Sequence, residues 1–219
     1  MSKKNTTTIK LTKTSKLDGV LSYSFLAGKS CPGMKNSEIC KNSPYCMTNF
    51  YKFPVVKNAR LHNMEDIKRD DWENDMVDLI KDEKYFRWFD TGDIYNEMVA
   101  EKIYNVIKMT PNVNHWLPTN SYDVPKLTEW IDKIDKLPNV KVRRSSKKFG
   151  KYTKGLHGSC VIVAENVPDG VHVCPATLNH TKCGSCTACY DKNISVIAYV
   201  AHGTLASKIK KGTFVKIED

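Results

Sequence analysis

Short apolar runs alternate with amphipathic segments along most of the chain, and the period of each run predicts its element. Residues 21–27 (LSYSFLA) alternate apolar with polar and stop at Gly28, which predicts a strand that feeds a cysteine-containing loop. Residues 64–81 (MEDIKRDDWENDMVDLIK) set Ile67, Trp72, Met76, Leu79 and Ile80 at near-helical spacing with acids on the other faces, which predicts one surface helix. Residues 85–90 (YFRWFD) are aromatic and strand-like and halt at Thr91, Gly92 and Asp93. In 94–108 the apolar positions recur at three and four, a helical period. A strand at 114–118 (NHWLP), a helix at 127–137 (LTEWIDKIDKL) and a strand at 140–142 continue the series. After a Gly- and Lys-rich loop at 150–158, residues 160–164, 171–174 and 195–200 predict further strands with little helix between them.

Strand, helix, strand, helix, strand in succession is the pattern of a parallel sheet with right-handed crossovers. The expected fold is therefore α/β, a partial or distorted β/α barrel with metal-binding cysteine loops near both ends of the chain. Residues 17–219 form it as a single domain, after a basic flexible tail at 1–16. Such sheets collect functional residues at the carboxyl ends of their strands. Each predicted strand ends in suitable chemistry: a cysteine loop after the first, Thr91-Gly92-Asp93 after the second, Thr119-Asn120-Ser121 after the third, and Arg143 to Ser146 after the fourth.

The net charge of +10 is spread over stretches such as Lys147-Lys148 and Lys208 to Lys211, which suits an anionic partner or simply a basic soluble surface. No apolar run is long enough to cross a bilayer and the first residues are polar, so no membrane association and a cytoplasmic location are expected. In a reducing compartment, clustered cysteines are read as metal ligands before disulfides.

Seven of the eight cysteines form two islands, 31–46 with Cys31, Cys40 and Cys46, and 174–189 with Cys174, Cys183, Cys186 and Cys189. The second island spaces three cysteines two residues apart and adds a fourth upstream, the way short loops wrap a [4Fe-4S] cube. Small residues between them allow backbone amides to turn toward the cluster sulfurs. Zinc is the alternative, since it too takes four thiolates. The first island supplies only three, and a cube held by three cysteines keeps one iron open for a substrate or cofactor. Cys160, or a histidine such as His62 or His202, could instead close that site, although Cys160 lies in an apolar strand where a buried inert thiol is expected. One or two [4Fe-4S] clusters are thus the expected cofactors.

The ordered motifs Cys31-Pro32-Gly33 with Cys40 and Cys46, Tyr85 to Asp93 (YFRWFDTGD), Trp116 to Thr119 (WLPT), Asn139 to Ser146 (NVKVRRSS) and Cys183 to Cys189 (CGSCTAC) resemble the phage gene product 88 family over nearly the full length. This resemblance implies a phage protein acting in the host cytoplasm, with host or phage proteins as candidate partners. A looser similarity is to radical S-adenosylmethionine enzymes, which share a partial β/α barrel and a three-cysteine loop after the first strand. Here the loop is Cys-x8-Cys-x5-Cys where those enzymes usually carry Cys-x3-Cys-x2-Cys, and Thr91-Gly92-Asp93 stands where they have Gly-Gly-Glu. That similarity implies S-adenosylmethionine as a further cofactor.

Asp93, Arg143 and Thr119 are the candidate catalytic residues, and Gly92, Asp93 and Ser145 the candidate cofactor-binding ones. Asp93 also suits the N-cap of the helix that follows it. Arg143 and Arg144 could bind a phosphate or carboxylate, although neighbours on a strand face opposite ways. Two functions are consistent with these features. One is an iron-sulfur redox or radical-type enzyme with a reactive three-cysteine cluster, a four-cysteine auxiliary cluster and an unknown substrate. The other is a basic, zinc- or iron-sulfur-stapled module that binds nucleic acid or a host protein. The chain carries no complete nucleophile triad, phosphate loop or paired-carboxylate motif that would suggest hydrolysis.

Overall fold

A computed structural model describes residues 8–42, 44–47, 49–152, 158–177, 179 and 182–216. Strand β1 (Leu11–Thr14) runs antiparallel to β2 (Val20–Tyr23), with Leu11 opposite Tyr23. The first cysteine segment follows and contains the short helix α1 (Glu38–Asn42); then come α2 (Pro54–Asp66), α3 (Trp72–Ile80) and β3 (Tyr85–Trp88). Helix α4 (Glu97–Met109), β4 (Asn114–Thr119), α5 (Pro125–Asp135) and β5 (Val140–Ser145) keep the alternation. The rest comprises β6 (Gly158–Ile162), β7 (His172–Val173), β8 (Val196–Val200) and α6 (Gly203–Lys210).

Among the described residues, the eight strands belong to one open sheet in the order β1-β2-β3-β4-β5-β6-β8-β7, and every pair except β1 with β2 is parallel. From β2 to β6 the spatial order follows the chain order. Right-handed crossovers in a sheet wound in one direction put successive helices on the same face. The core bears this out: Trp72, Met76 and Ile80 of α3, Val99, Ile103 and Val106 of α4, and Leu127, Ile131 and Ile134 of α5 pack on Tyr23, Phe86, Trp88, Leu117, Val140 and Val142 of the strands. Because strand residues alternate between faces, Arg87, Trp116, Lys141 and Arg143 stand on the opposite face, which these helices do not cover.

Two expected elements are corrected. The tail predicted at 1–16 lies outside the described residues for 1–7, but from residue 8 on it is built into the fold. Ile9 is 7% exposed within the core, β1 pairs with β2, and Asn63 donates to Lys10 O at 2.9 Å and accepts from Lys10 N at 3.0 Å. The single helix expected at 64–81 is two, α2 and α3, parted at 67–71. The polar run from Lys68 to Asp71 has nothing apolar to bury, and Arg69 binds Asp66 and Asp75, each at 2.9 Å, across the break.

Candidate functional site

The first cysteine loop is held at the carboxyl edge of the sheet by contacts between the segments that follow β2 and β3. Phe25 N donates to Thr91 O at 3.1 Å and Thr91 Oγ1 to Phe25 O at 2.9 Å. Phe89, at φ +61°, ends β3 in the left-handed region, a conformation that costs an L residue roughly 1–2 kcal/mol, and its ring packs 5.4 Å from that of Phe25. At Gly92, φ +83°, an added Cβ would stand 2.7 Å from both Phe25 Cβ and Ser30 Oγ. The absence of a side chain at Gly92 is thus used by the incoming loop itself.

Asp93 is 3% exposed and serves as the hub of this edge. Its Oδ1 accepts from Thr119 Oγ1 at 2.7 Å and from Ile94 N at 2.8 Å, and its Oδ2 accepts from Asn120 N at 2.7 Å. Burial pushes its pKa up to about 6 against the opposing pull of these donors. Asp93 does not cap α4; Asn96 does, accepting from Val99 N at 2.9 Å. Asn120 then turns to the cysteines, with its Nδ2 3.8 Å from Cys40 Sγ. Lys147, from the loop after β5, donates to Gly33 O at 3.2 Å and to Asn120 O, and pairs with Asp123 at 3.1 Å. A Cβ on Gly33 would lie 1.9 Å from Asn120 O, so the Cys-Pro-Gly turn fits against that backbone only as glycine.

Cys31, Cys40 and Cys46 converge here. Burial raises all three thiols, Cys31 to about 12 and Cys46 to about 11. After burial, the charges of Asp93, Cys46 and Cys40 push Cys31 further, and that of Cys40 pushes Cys46. Two cations work the other way, Lys147 on Cys40 and Arg60 on Cys46. Such a group of crowded, desolvated thiols is relieved by a bound cationic centre, which deprotonates its ligands.

The second island lies against the sheet face that the helices leave bare. Arg143 is fully buried there. Its Nε donates to Cys189 O, its Nη1 to Ile194 O and Ser195 O, and its Nη2 to Ala188 O and Asp191 O, at 2.6 to 3.3 Å. Those five bonds use all five N–H groups of the guanidinium. Arg143, expected to meet substrate, instead has its hydrogen-bonding capacity committed to the backbone of the second island. Lys141 Nζ donates to Lys192 O at 3.2 Å, and the Tyr190 ring packs 4.8 Å from Tyr85 and 6.0 Å from Trp116. Arg87 sits over the Trp116 ring at 4.5 Å and pairs with Asp90 at 2.7 Å.

Within the second island Cys183 is raised by burial and by its neighbours Cys174 and Cys186. Cys189 is pushed up to about 11 by burial, with Cys174 adding to the effect and Tyr199, Arg143 and Arg87 opposing it. Cys186 Sγ is 3.7 Å from His172 Nε2, and Cys189 Sγ is 3.7 Å from Tyr199 Oη. All eight cysteines are free thiols. Among the described residues, no group of three or more His, Cys, Asp or Glu is arranged to hold a metal ion.

The Gene product 88 family model matches residues 1–161. The chain belongs to the Gene product 88 family. The matched stretch takes in Cys31, Cys40 and Cys46, Asp93, Thr119 and β5, and it ends before Cys174, so the Cys-Gly-Ser-Cys-Thr-Ala-Cys run at 183–189 lies beyond it. No curated protein and no solved structure matches the chain. Among the described residues, no helix is long and apolar enough to cross a membrane.

Of the expected site residues, Gly92, Asp93 and Thr119 come together with the first island. Ser145, at the end of β5, pairs with Ser159, and its carbonyl accepts from Tyr122 Oη at 3.1 Å. His62 is turned to Thr8 O at 2.9 Å, His202 occupies the N-cap position of α6, and Cys160 packs with Ile162, Val196 and Ala198. His172 is not marked by the sequence, and Asn120 and Lys147 are marked there only as part of the Thr119-Asn120-Ser121 strand end and of a basic stretch, with no link to the cysteines. Asn120 and Lys147 meet the first island across 80 and 114 residues, a separation that no local pattern marks.

Proposed function

We propose that this protein is an iron-sulfur redox enzyme of radical type, built on a partial β/α barrel. Cys31, Cys40 and Cys46 would hold a reactive [4Fe-4S] cluster, and Cys174, Cys183, Cys186 and Cys189 an auxiliary one. The observation that carries the reading is the gathering of Cys31, Cys40 and Cys46, half-buried and electrostatically coupled, beside buried Asp93, at the carboxyl edge of a sheet whose strands follow chain order from β2 to β6. The donor set fits a cluster in its chemistry, since clusters are held by cysteine thiolates.

When bound, such a cluster would supply one-electron chemistry at an open iron. The chain's own residues do the rest. Asp93 fixes Thr119 Oγ1 and Asn120 N, and through Asn120 Nδ2 it supports a donor at Cys40 Sγ, the kind of contact that tunes a metal-bound sulfur. Lys147 pins the Cys-Pro-Gly turn and puts a positive charge near the thiolates. Half-burial of the three cysteines limits the access of water to the sulfurs. S-adenosylmethionine is the proposed ligand of the open iron.

The test is iron, zinc and acid-labile sulfide per chain in protein purified without oxygen, followed by addition of S-adenosylmethionine to the reduced protein. About eight irons with matching sulfide, and reductive cleavage of the sulfonium, are expected. Zinc without sulfide would remove the redox reading and leave a metal-stapled binding module in its place.

A further inference from the structure

Helix α1 carries Cys40, and its last residue, Asn42, is 2% exposed beneath a segment from far along the chain. Asn42 Nδ2 donates to Val215 O at 2.7 Å and to Glu38 O at 2.9 Å, while its Oδ1 accepts from Val215 N at 2.8 Å. The side-chain amide thus pairs with Val215 as a neighbouring backbone would. Lys208, on α6, donates from Nζ to Asn42 O at 2.6 Å, at the carbonyl end of α1, where a cation is favoured. The Phe214 ring packs 5.3 Å from that of Phe149, whose N–H donates to Glu38 Oε2 at 2.8 Å. Residues 203–216 therefore hold α1 at its end directly and at its start through Phe149.

Helix α1 depends on such partners, because five residues are too few for a helix to hold itself. The segment that supplies them has little of its own to keep it shut. Of residues 203–216 only Leu205 is buried, and Val215 is 63% exposed, so the pairing with Asn42 runs through the Val215 backbone and not its side chain. Helix α6 starts just after β8 at Gly203, φ +57°, where an added Cβ would meet nothing within 4 Å, so bending there is sterically free. A segment with one buried apolar side chain and a few hydrogen bonds, on a flexible joint, opens locally at far less cost than the sheet it leaves. Once it opens, Asn42 loses its partners, and α1 loses the restraint that sets Cys40 against Cys31 and Cys46.

We propose that residues 203–216 are a strap that opens and closes over α1, and that its closure on Asn42 governs access to the Cys31, Cys40 and Cys46 group. The proposal rests on the iron-sulfur reading only for what the opened site takes up; the opening itself needs no metal.

The experiment is N-ethylmaleimide labelling of the full chain purified without oxygen, followed at each cysteine by peptide mass spectrometry at urea concentrations below the unfolding transition, with iron content measured on the same sample. Cys40 is expected to label through local opening, at a rate that changes little with urea. Cys160, buried in β6, is expected to follow the steep urea dependence of global unfolding. The Lys208→Ala/Phe214→Ala double variant, which alters the strap and no residue of the cysteine loop, is expected to label at Cys40 about tenfold faster or more, as the loss of a charge-assisted bond predicts. Its urea midpoint and its labelling at Cys160 and Cys189 are expected to stay as in wild type. Lys211→Ala, exposed at the end of α6, is expected to behave as wild type throughout. Cys40 labelling that tracks Cys160 in urea overturns the proposal, as does an unchanged Cys40 rate in the double variant. Equal acceleration at all three cysteines also overturns it, in favour of a contact that only stabilises the fold. Iron content bears on the cluster reading alone: strap-dependent labelling of an iron-free protein keeps the strap and removes the cluster.

Discussion

Arg143 Nε donates to the carbonyl oxygen of Cys189 at 3.3 Å, and with this bond a sheet strand and the second cysteine run become one unit. A buried guanidinium with no carboxylate among its hydrogen-bond partners is solvated here by five carbonyls, which is what makes its burial tolerable. The segment from Ala188 to Ser195 thereby does for one face of the sheet what helices do for the other.

Arg143→Lys should unravel that unit. An ammonium has three donors and no fork, so it cannot serve five carbonyls spread over this segment. A loss of at least about 3 kcal/mol is expected in urea unfolding, from several charge-assisted bonds. The Cys183, Cys186 and Cys189 thiols should label faster while Cys40 keeps its protection. Wild-type stability with unchanged labelling would show that the carbonyl contacts carry no weight.

His115 predicts acid sensitivity. It accepts from Trp88 Nε1 at 3.2 Å through Nδ1, which leaves its Nε2–H to donate to Thr110 Oγ1 at 2.9 Å, and burial pulls its pKa down to about 3. The ring is therefore neutral in the folded protein. The stability it secures is fully present above the ordinary pKa of 6.5 and is lost as the pH falls toward 3, because the unfolded chain takes up the proton first. Between pH 6.5 and 4.5 the loss is about 2 kcal/mol. Urea midpoints at the two pH values should converge in His115→Gln; equal slopes in variant and wild type would reject this assignment.

Gly33→Ala tests the docking of the Cys-Pro-Gly turn. The new Cβ would meet the Asn120 carbonyl at 1.9 Å, backbone against backbone, where no side chain can swing aside. A cost of about 1–3 kcal/mol or more is expected, together with faster labelling of Cys31 and Cys40 and none of that effect at Cys189. If the variant keeps wild-type stability and thiol protection, the turn is not seated on Asn120.

Two cysteine variants separate the proposed centres. Cys40→Ser should remove the iron and sulfide of the first island and leave the second, and Cys186→Ser should do the reverse or disturb folding through its place beside His172. Metal analysis of anaerobically purified variants decides it. Equal loss of all metal from both proteins would mean one shared centre or none.

Much of this arrangement can be read from residues alone. The alternation of YFRWFD and NHWLP marks strands with two different faces, the three- and four-residue recurrence in 94–108 and 127–137 marks helices, and their succession dictates parallel pairing with active loops at one edge. The grouping of Asp93, Thr119 and the first cysteines follows from that topology, since each ends a neighbouring strand. A period of two cannot say what covers each face. The sequence therefore marked Arg143 and Arg144 as a pair but not their separate partners, carbonyls of residues 188–195 for one and α5 carboxylates for the other. Nor could it join Asn120 to Cys40 or Lys147 to Gly33. Those contacts arise from how loops fall across a finished sheet, where packing of distant segments, and no local propensity, sets the positions. Local periodicity determined the elements and the edge at which the cysteine loop and Asp93 gather; only tertiary packing decided which side chains hold the cysteine loops.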